Sequence, residues 1–381
     1  MIHHVIFAPD SYKGTLSAAE ICDAMNAALK RVCPSAKGSC VPIADGGEGT
    51  VDCFLQSCGG EKIFLPVMGP LGDRAEGFYG LIDSGRTAVI EMAAAAGLPL
   101  THGHPDPMRA TTYGVGELIL HALSSGAEKL ILALGGSATN DGGAGMAAAL
   151  GVRFSDSGGR PFFPTGGTLR DIAGIDVSGL SPLLRGTEVT VMCDVTNPLC
   201  GEWGASAVYG PQKGADPSMI ALLDAGLSHY ADLLESQLEV SIRDLPGAGA
   251  AGGMGGGAVA FLKGKLVSGI ETVLNAAGFD RLLETADLVF TGEGRIDGQS
   301  VQGKAVCGVA RRAKAKDVPV IVVAGDIGEI GAVYDMGVSA VLSTNRIAAP
   351  YPEQRARARQ DIELTTETAL RIFSLGMHRR K

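Results

Sequence analysis

The sequence predicts an α/β protein of two domains: a doubly wound parallel sheet, with a second α/β domain inserted into it. Three observations carry this expectation. Short apolar segments alternate with stretches of helical period, the sequence form of a parallel sheet. The chain has 381 residues, against about 150 for an average domain. The pattern of residues 1–67 also returns over 285–381, after a middle region richer in Ala and Gly.

Along the chain, Val5-Ile6-Phe7-Ala8 reads as a first strand ending in Pro9-Asp10. Ser17 and Glu20 have capping-box spacing, and Ile21, Met25, Ala28 and Val32 follow at helical period up to Pro34. A second strand over 39–43 runs into Asp45-Gly46-Gly47-Glu48-Gly49-Thr50, and Val51, Phe54, Leu55 and Cys58 share one face of a second helix. A third strand near 62–67 is expected in the same sheet. Met68-Gly69-Pro70-Leu71-Gly72 then punctuates the chain. Strands near 87–92, 129–134 and 188–193 belong to the middle region. Residues 287–291, 320–324 and 340–342 resume the first style, and a last helix over 352–375 sets Ile362, Ala369, Ile372 and Phe373 on a packing face. The expected organisation is a discontinuous Rossmann/flavodoxin-like domain, 1–67 plus 285–381. An inserted α/β domain, 68–284, completes it, with an active site in the cleft between the two.

Composition narrows the function. Apolar residues make up 46% and charged residues 19%, so the chain can build a full core. Glycine is abundant, 55 of 381, without a three-residue period, which points to many tight loops rather than collagen. The net charge is −9, and the basic run is confined to His378-Arg379-Arg380-Lys381, so a nucleic-acid partner is not expected. Apolar runs such as 318–324 fall short of the roughly 18 residues of a membrane helix, and the first residues lack a signal-peptide pattern. A cytoplasmic location with no membrane partner is expected. The eight cysteines form no C-x-x-C pair and read as free thiols in a reducing compartment.

In an open parallel sheet, ligands gather beyond the carboxyl ends of the strands. The residues there are Asp10 and Lys13 after the first strand, and Asp45 and Glu48 after the second. Glu293, Arg295 and Asp297 follow the strand at 287–291, and Asp326 follows that at 320–324. Carboxylates among glycines can coordinate Mg²⁺ or orient a hydroxyl. Any one such loop alone reads better as an ordinary turn; several at one sheet edge shift the reading towards function. The richest loop, Gly135-Gly136-Ser137-Ala138-Thr139-Asn140-Asp141-Gly142-Gly143, closes a strand and opens a helix, as an anion-binding loop must. Asp194 and Asn197 end another strand, ahead of Pro198, where an Asx turn is the plainer reading.

Two glycine motifs are discounted. Gly247-Ala248-Gly249-Ala250-Ala251-Gly252 matches G-x-G-x-x-G but follows a poor strand, so dinucleotide binding is disfavoured. Gly298 to Lys304 nearly spells a P-loop, yet Ala305 stands where the Mg²⁺-binding Ser or Thr belongs.

Taken in order, Ala8–Gly14, Ala44–Thr50, Gly135–Gly143, Cys193–Leu199, Pro246–Gly253 and Thr291–Gln299 resemble the bacterial class I glycerate kinase family from end to end of the chain. The resemblance implies ATP- and Mg²⁺-dependent phosphorylation of D-glycerate, usually at the 2-hydroxyl. It also implies two α/β domains, the second inserted in the first. The expected roles follow from the chemistry of phosphoryl transfer. Lys13 and Arg295 would face the glycerate carboxylate or the transferring phosphoryl group, and Asp194, ahead of Asp297, would orient the hydroxyl. Asp10, Asn197 and Glu293 would bind substrate. Gly135, Gly136, Ser137, Thr139, Asn140, Asp141 and Gly142 would cradle the nucleotide phosphates. Asp45 and Glu48 would hold Mg²⁺, and domain closure would exclude water. The alternatives are attack by the 3-hydroxyl and, more remotely, an NAD-dependent hydroxy-acid oxidoreductase or a non-enzymatic sugar-acid-binding protein. Either a monomer or a homodimer is compatible with the sequence.

Overall fold

The structure is a computed structural model that describes residues 2–44, 46–297 and 305–378, without the side chains of 377 and 378. Four elements open the chain: β1 (His4–Pro9), α1 (Ala18–Val32), β2 (Lys37–Cys40) and α2 (Thr50–Cys58). The middle begins with β3 (Glu61–Met68), β4 (Arg74–Ile82), β5 (Thr87–Glu91), α3 (Ala93–Ala96), α4 (Tyr113–Ser124), β6 (Lys129–Ala133) and α5 (Ala144–Ala149). It continues through β7 (Arg153–Ser155), β8 (Pro161–Phe162), β9 (Gly174–Asp176), β10 (Glu188–Met192), α6 (Ala205–Tyr209), α7 (Pro217–Leu238), α8 (Ala250–Leu262) and β11 (Lys265–Val267). The last part comprises α9 (Gly269–Ala276), α10 (Phe279–Leu283), β12 (Leu288–Ile296), α11 (Ala305–Lys314), β13 (Val320–Ile327), α12 (Gly331–Asp335), β14 (Ala340–Ser343) and α13 (Tyr351–His378).

The chain divides into two compact units: Met1–Asp45 with Asp52–Gly59 and Ile270–Lys381, and Gly46–Val51 with Gly60–Gly269. The first holds a five-stranded parallel sheet in the order β14-β13-β12-β1-β2. β1 pairs with β2 on one side and with β12 on the other, so the winding reverses there and leaves a crevice at the strand ends. β1 is buried along its whole length, and Phe7 stacks on Phe290 with ring centroids 5.8 Å apart. α1 is started by the expected capping box: Glu20 N–H donates to Ser17 Oγ at 3.2 Å, and Ser17 N–H to Glu20 Oε2 at 2.9 Å. Its face of Ile21, Cys22, Met25, Ala28 and Leu29 is buried, each large side chain contributing about 1.5–3 kcal/mol relative to exposure. α13 packs through Ile362, Ala369 and Leu370. Ile372 was expected on that face but is 63% exposed; two residues beyond Leu370, it lies about 200° around the helix.

The second unit holds a six-stranded sheet, β11-β10-β6-β5-β4-β3, and a small antiparallel sheet, β8-β7-β9. β5, β6, β10 and β11 run parallel; β4 and β3 are antiparallel. This corrects the expectation that the strand near 62–67 joins the first sheet. The five residues from Gly69 to Asp73 form a tight turn, with Gly69 N–H donating to Asp73 O at 2.7 Å and Gly72 at φ +89°. Such a link makes a hairpin, whereas a parallel crossover needs a dozen residues or more. Lys62 and Pro66 mark β3 as the edge strand. No described helix is long and apolar enough to cross a membrane.

Candidate functional site

In the first unit, the expected residues gather at the carboxyl ends of β1, β12 and β13. Asp10 follows β1: its N–H donates to Gly292 O at 2.8 Å, and its Oδ1 accepts from Ser11 N–H at 2.6 Å. Tyr12 turns inward and donates to Val323 O at 2.6 Å. Burial, then the charge of Glu293, raises its phenol pKa, so it stays a neutral anchor. That anchor leaves Lys13 exposed at the tip of the loop. Glu293 itself is buried in β12. Register sets Arg295 beside Asp326. Arg295 Nε donates to Asp297 Oδ2 at 3.2 Å, and Arg295 Nη1 lies 3.3 Å from Asp326 Oδ2. The guanidinium is 64% exposed, and exposed pairs are worth about 0–1 kcal/mol, so an incoming anion can replace either carboxylate at small cost.

In the second unit the ends of β5, β6 and β10 carry the site. Gly135 N–H donates to Gly46 O at 2.7 Å, and a Cβ on Gly135 would collide with the Gly47 backbone. The two glycine loops can therefore cross only because both lack side chains. Glu48 is exposed near Gly136, its Cγ 3.8 Å from where a Gly136 Cβ would stand. Asp45 lies outside the described residues.

Glu91, the last residue of β5, holds this crossing. Only 2% exposed, its carboxylate accepts from Val51 N–H at 2.6 Å and Gly49 N–H at 3.4 Å, at the start of α2. A carboxylate there answers the positive end of the helix. The sequence reading missed Glu91, although an acid closing an apolar strand was the available signal.

The loop after β6 has two sides. On one, Leu98 N–H donates to Gly136 O at 3.0 Å and Ala138 N–H to Ala96 O at 2.8 Å. On the other, among the described residues, the N–H groups of Gly136, Ser137, Thr139, Asn140 and Asp141 donate to no acceptor in the chain. All but Gly136 belong to buried residues, where an unpaired N–H is as costly as a lost hydrogen bond. Gly136 adopts φ +74°, which lets successive N–H groups converge. N–H groups that converge in this way can receive anionic oxygens.

The side chains of this loop behave differently from expectation. The Asp141 carboxylate is fully buried and accepts from Thr112 N–H (2.7 Å), Thr112 Oγ1 (2.9 Å), Gly143 N–H (3.2 Å) and Gly145 N–H (3.2 Å). Burial raises its pKa, against the pull of those donors. With these partners, the carboxylate is a knot inside the loop. Gly135 and Gly142 have their N–H groups committed to Gly46 O and Gly252 O, which narrows the expected cradle to Gly136–Asp141. Asn140 Nδ2 donates to Ser206 Oγ at 2.9 Å, whereas Asn140 Oδ1 and Thr139 Oγ1 are buried without partners. Gly252 packs so closely that a Cβ there would strike Thr139 O. The G-x-G-x-x-G stretch thus runs into α8 and serves packing.

Lys213, also missed, is 1% exposed, and its Nζ donates to Thr139 O at 2.6 Å. Burial lowers its pKa to about 7, against the attraction of Asp141. Flanked by Pro211 and Gly214, it reads in the sequence as an ordinary turn residue.

At the end of β10, Asp194 is exposed, and its Oδ1 accepts from Ser268 Oγ at 3.0 Å and Gly269 N–H at 2.9 Å, the residues that open α9. Asn197 donates from Nδ2 to Trp203 O at 2.8 Å and accepts from Tyr209 OH at 2.7 Å. Both ends of that amide are engaged in shaping its own loop. Among the described residues, no three His, Cys, Asp or Glu side chains form a group able to hold a metal ion. The segment 298–304 lies outside the described residues.

Comparison with known proteins places this geometry. Residues 5–374 match the model of the glycerate kinase family. The chain is 49% identical over 363 residues to a glycerate kinase of Bacillus subtilis (strain 168), covering 95% of each. It is 48% identical over 375 residues to the glycerate 2-kinase of Escherichia coli (strain K12), covering 98% of each. A crystal structure from Salmonella typhimurium LT2, assigned as a glycerate kinase 2, superposes with a TM-score of 0.90 at 43% identity, covering 99% of this chain and 100% of that one.

Proposed function

The chain belongs to the glycerate kinase family, and on that premise we propose that it transfers the γ-phosphoryl group of ATP to the 2-hydroxyl of D-glycerate. The observation that carries the reading is the set of unpartnered N–H groups of Gly136, Ser137, Thr139, Asn140 and Asp141. Fixed dipoles of this kind neutralise triphosphate charge without reorganising. Ser137 and Thr139 add hydroxyls to the same stretch.

The substrate side rests on side chains. Lys13 and Arg295, both exposed at strand ends, attract the glycerate carboxylate or the transferring phosphoryl group. Asp10 and Glu293 set the walls of that loop, and Asn197 holds the shape of the β10 loop. Asp194 orients the hydroxyl: as its oxygen attacks the γ-phosphorus and the bond to the ADP oxygen breaks, the hydroxyl proton passes to the carboxylate. Asp297 is the second candidate for that role.

Mg²⁺ keeps much of its water and relies on one or two carboxylates plus the phosphates. Glu48, exposed near the N–H row, is a hard oxygen donor of that kind, and Asp45 completes the expected pair. When bound, the ion neutralises phosphate charge.

A coupled ADP-release assay over a panel of hydroxy acids tests the proposal, with phosphorus NMR of the product fixing the position of attack. Glycerate-dependent ADP release with a 2-phosphoglycerate signal is expected. A 3-phosphoglycerate signal reassigns the hydroxyl, and NADH formation from NAD⁺ and glycerate without ADP release overturns the reading.

A further inference from the structure

Lys213 stands out among the charged groups that the proposed reaction leaves without a role. A lysine ammonium carries three donors, and a buried one normally meets a carboxylate. Among the described residues, Lys213 has no carboxylate within ion-pair distance and makes one hydrogen bond, to Thr139 O at 2.6 Å. It lies at the end of the Pro211–Lys213 helical turn, held there by its own N–H donating to Gly210 O at 2.9 Å.

The acceptor decides what this contact does. A trans peptide is planar, so the C=O of one residue and the N–H of the next point in opposite directions. A donor that pulls Thr139 O to one side therefore aims Asn140 N–H to the other. Asn140 N–H is one of the N–H groups without an acceptor. The neighbouring anchors act on the same stretch, through Asn140 Nδ2 to Ser206 and through the Asp141 carboxylate to Thr112, Gly143 and Gly145. Lys213 is the side chain that grips the Thr139–Asn140 peptide itself.

We infer that Lys213 is a positioning residue for nucleotide binding: by holding Thr139 O, it fixes the Thr139–Asn140 peptide and aims Asn140 N–H at a phosphate oxygen of ATP. This inference rests on the proposed function and deepens it, for it separates nucleotide affinity from acceptor affinity. Lys213 touches no substrate and acts only through the loop. Its positive charge, within the influence of Asp141, also offsets the negative charge that a buried carboxylate would present to a phosphate.

The test uses Lys213→Met and Lys213→Gln, the second keeping a neutral donor for Thr139 O, with calorimetric ATP binding, separate KM values and melting curves. Losing a charge-assisted hydrogen bond is worth roughly 10- to 100-fold. Lys213→Met is expected to weaken ATP binding by about that factor and to leave the glycerate KM within about twofold. Lys213→Gln should recover most of the loss. Unchanged ATP affinity in folded Lys213→Met overturns the inference, as does an equal rise in both KM values, the mark of general loosening.

Should neither variant fold, amide hydrogen exchange on the wild-type chain decides. Asn140 N–H should become more protected when ATP is added; protection that nucleotide leaves unchanged overturns the inference. Wild-type protein that shows no glycerate-dependent ADP release would instead sink the underlying function, a separate and distinguishable failure.

Discussion

The two large sheets carry their loop sets by opposite means. In the first unit, the strand ends present exposed charged side chains, with Arg295 between Asp297 and Asp326 and Lys13 at a loop tip. In the second, the loop after β6 keeps its charges inside, at Asp141 and Lys213, and leaves backbone N–H groups without acceptors among the described residues. Side-chain charges on a rim are screened, exchangeable and cheap to rearrange. Backbone dipoles held by buried charges are stiff, and disturbing them disturbs the fold. The first set suits a small acid that must enter and leave; the second suits a triphosphate that needs a fixed cradle.

The contrast predicts how substitutions should divide. The largest effect is expected at the proposed chemical step. Asp194→Asn should lower kcat by roughly 10²- to 10⁴-fold while ATP affinity stays within a few-fold, as steady-state kinetics with calorimetry would show. Since Asn keeps an acceptor for Ser268 and Gly269, the melting temperature should barely move. Near-normal turnover would hand the role to Asp297.

Next come changes to the rigid set, which should cost stability first. Gly252→Ala places a methyl against Thr139 O at a residue with φ +69°. It should destabilise by about 2–4 kcal/mol in denaturant melts and raise the ATP KM. Glu91→Gln sets an amide where Val51 and Gly49 donate, and should cost about 1–3 kcal/mol. Smaller still is the effect on the exposed set. Arg295→Ala should raise the glycerate KM by about tenfold and shift stability by under about 1 kcal/mol. A large stability loss there would erase the distinction between the two sets.

Buried Lys213 adds a pH signature. Its pKa is about 7 in the folded chain against 10.5 for an ordinary lysine, so between these values the unfolded chain binds the extra proton. Stability contributed at this site therefore rises as pH increases from about 7 toward 10 and is lost as pH falls back through 7. The wild-type melting temperature should climb over pH 7–9 relative to that of Lys213→Met. A constant difference would mean that the lysine does not titrate there.

Legibility in the sequence followed the same divide. The charged set of the first unit was readable because Asp10, Lys13, Glu293, Arg295 and Asp326 follow short apolar runs, and strand ends are where ligands meet an open sheet. The glycine loop after β6 was readable as a place, since a run of glycines before a helix has few other uses. What each of its residues does was not readable. Asp141 has the appearance of a ligand-facing acid, yet its carboxylate closes on Thr112, 29 residues earlier in the chain. Lys213 grips a carbonyl 74 residues away, a relation no local pattern encodes. The β3–β4 hairpin was mistaken for a parallel continuation because an apolar run does not announce its partner's direction. The short link at Gly69–Asp73 was the clue to weigh.

The central claim is that backbone amides of the β6 loop, rather than side-chain cations, receive the nucleotide. Titrating a backbone-labelled chain with a non-hydrolysable ATP analogue and following amide resonances tests it directly. The expected result is that the Gly136, Ser137, Thr139, Asn140 and Asp141 signals move together with saturation, while Arg295 responds to D-glycerate instead. Unmoved resonances across that loop, with the nucleotide bound and shifts appearing elsewhere, would contradict it.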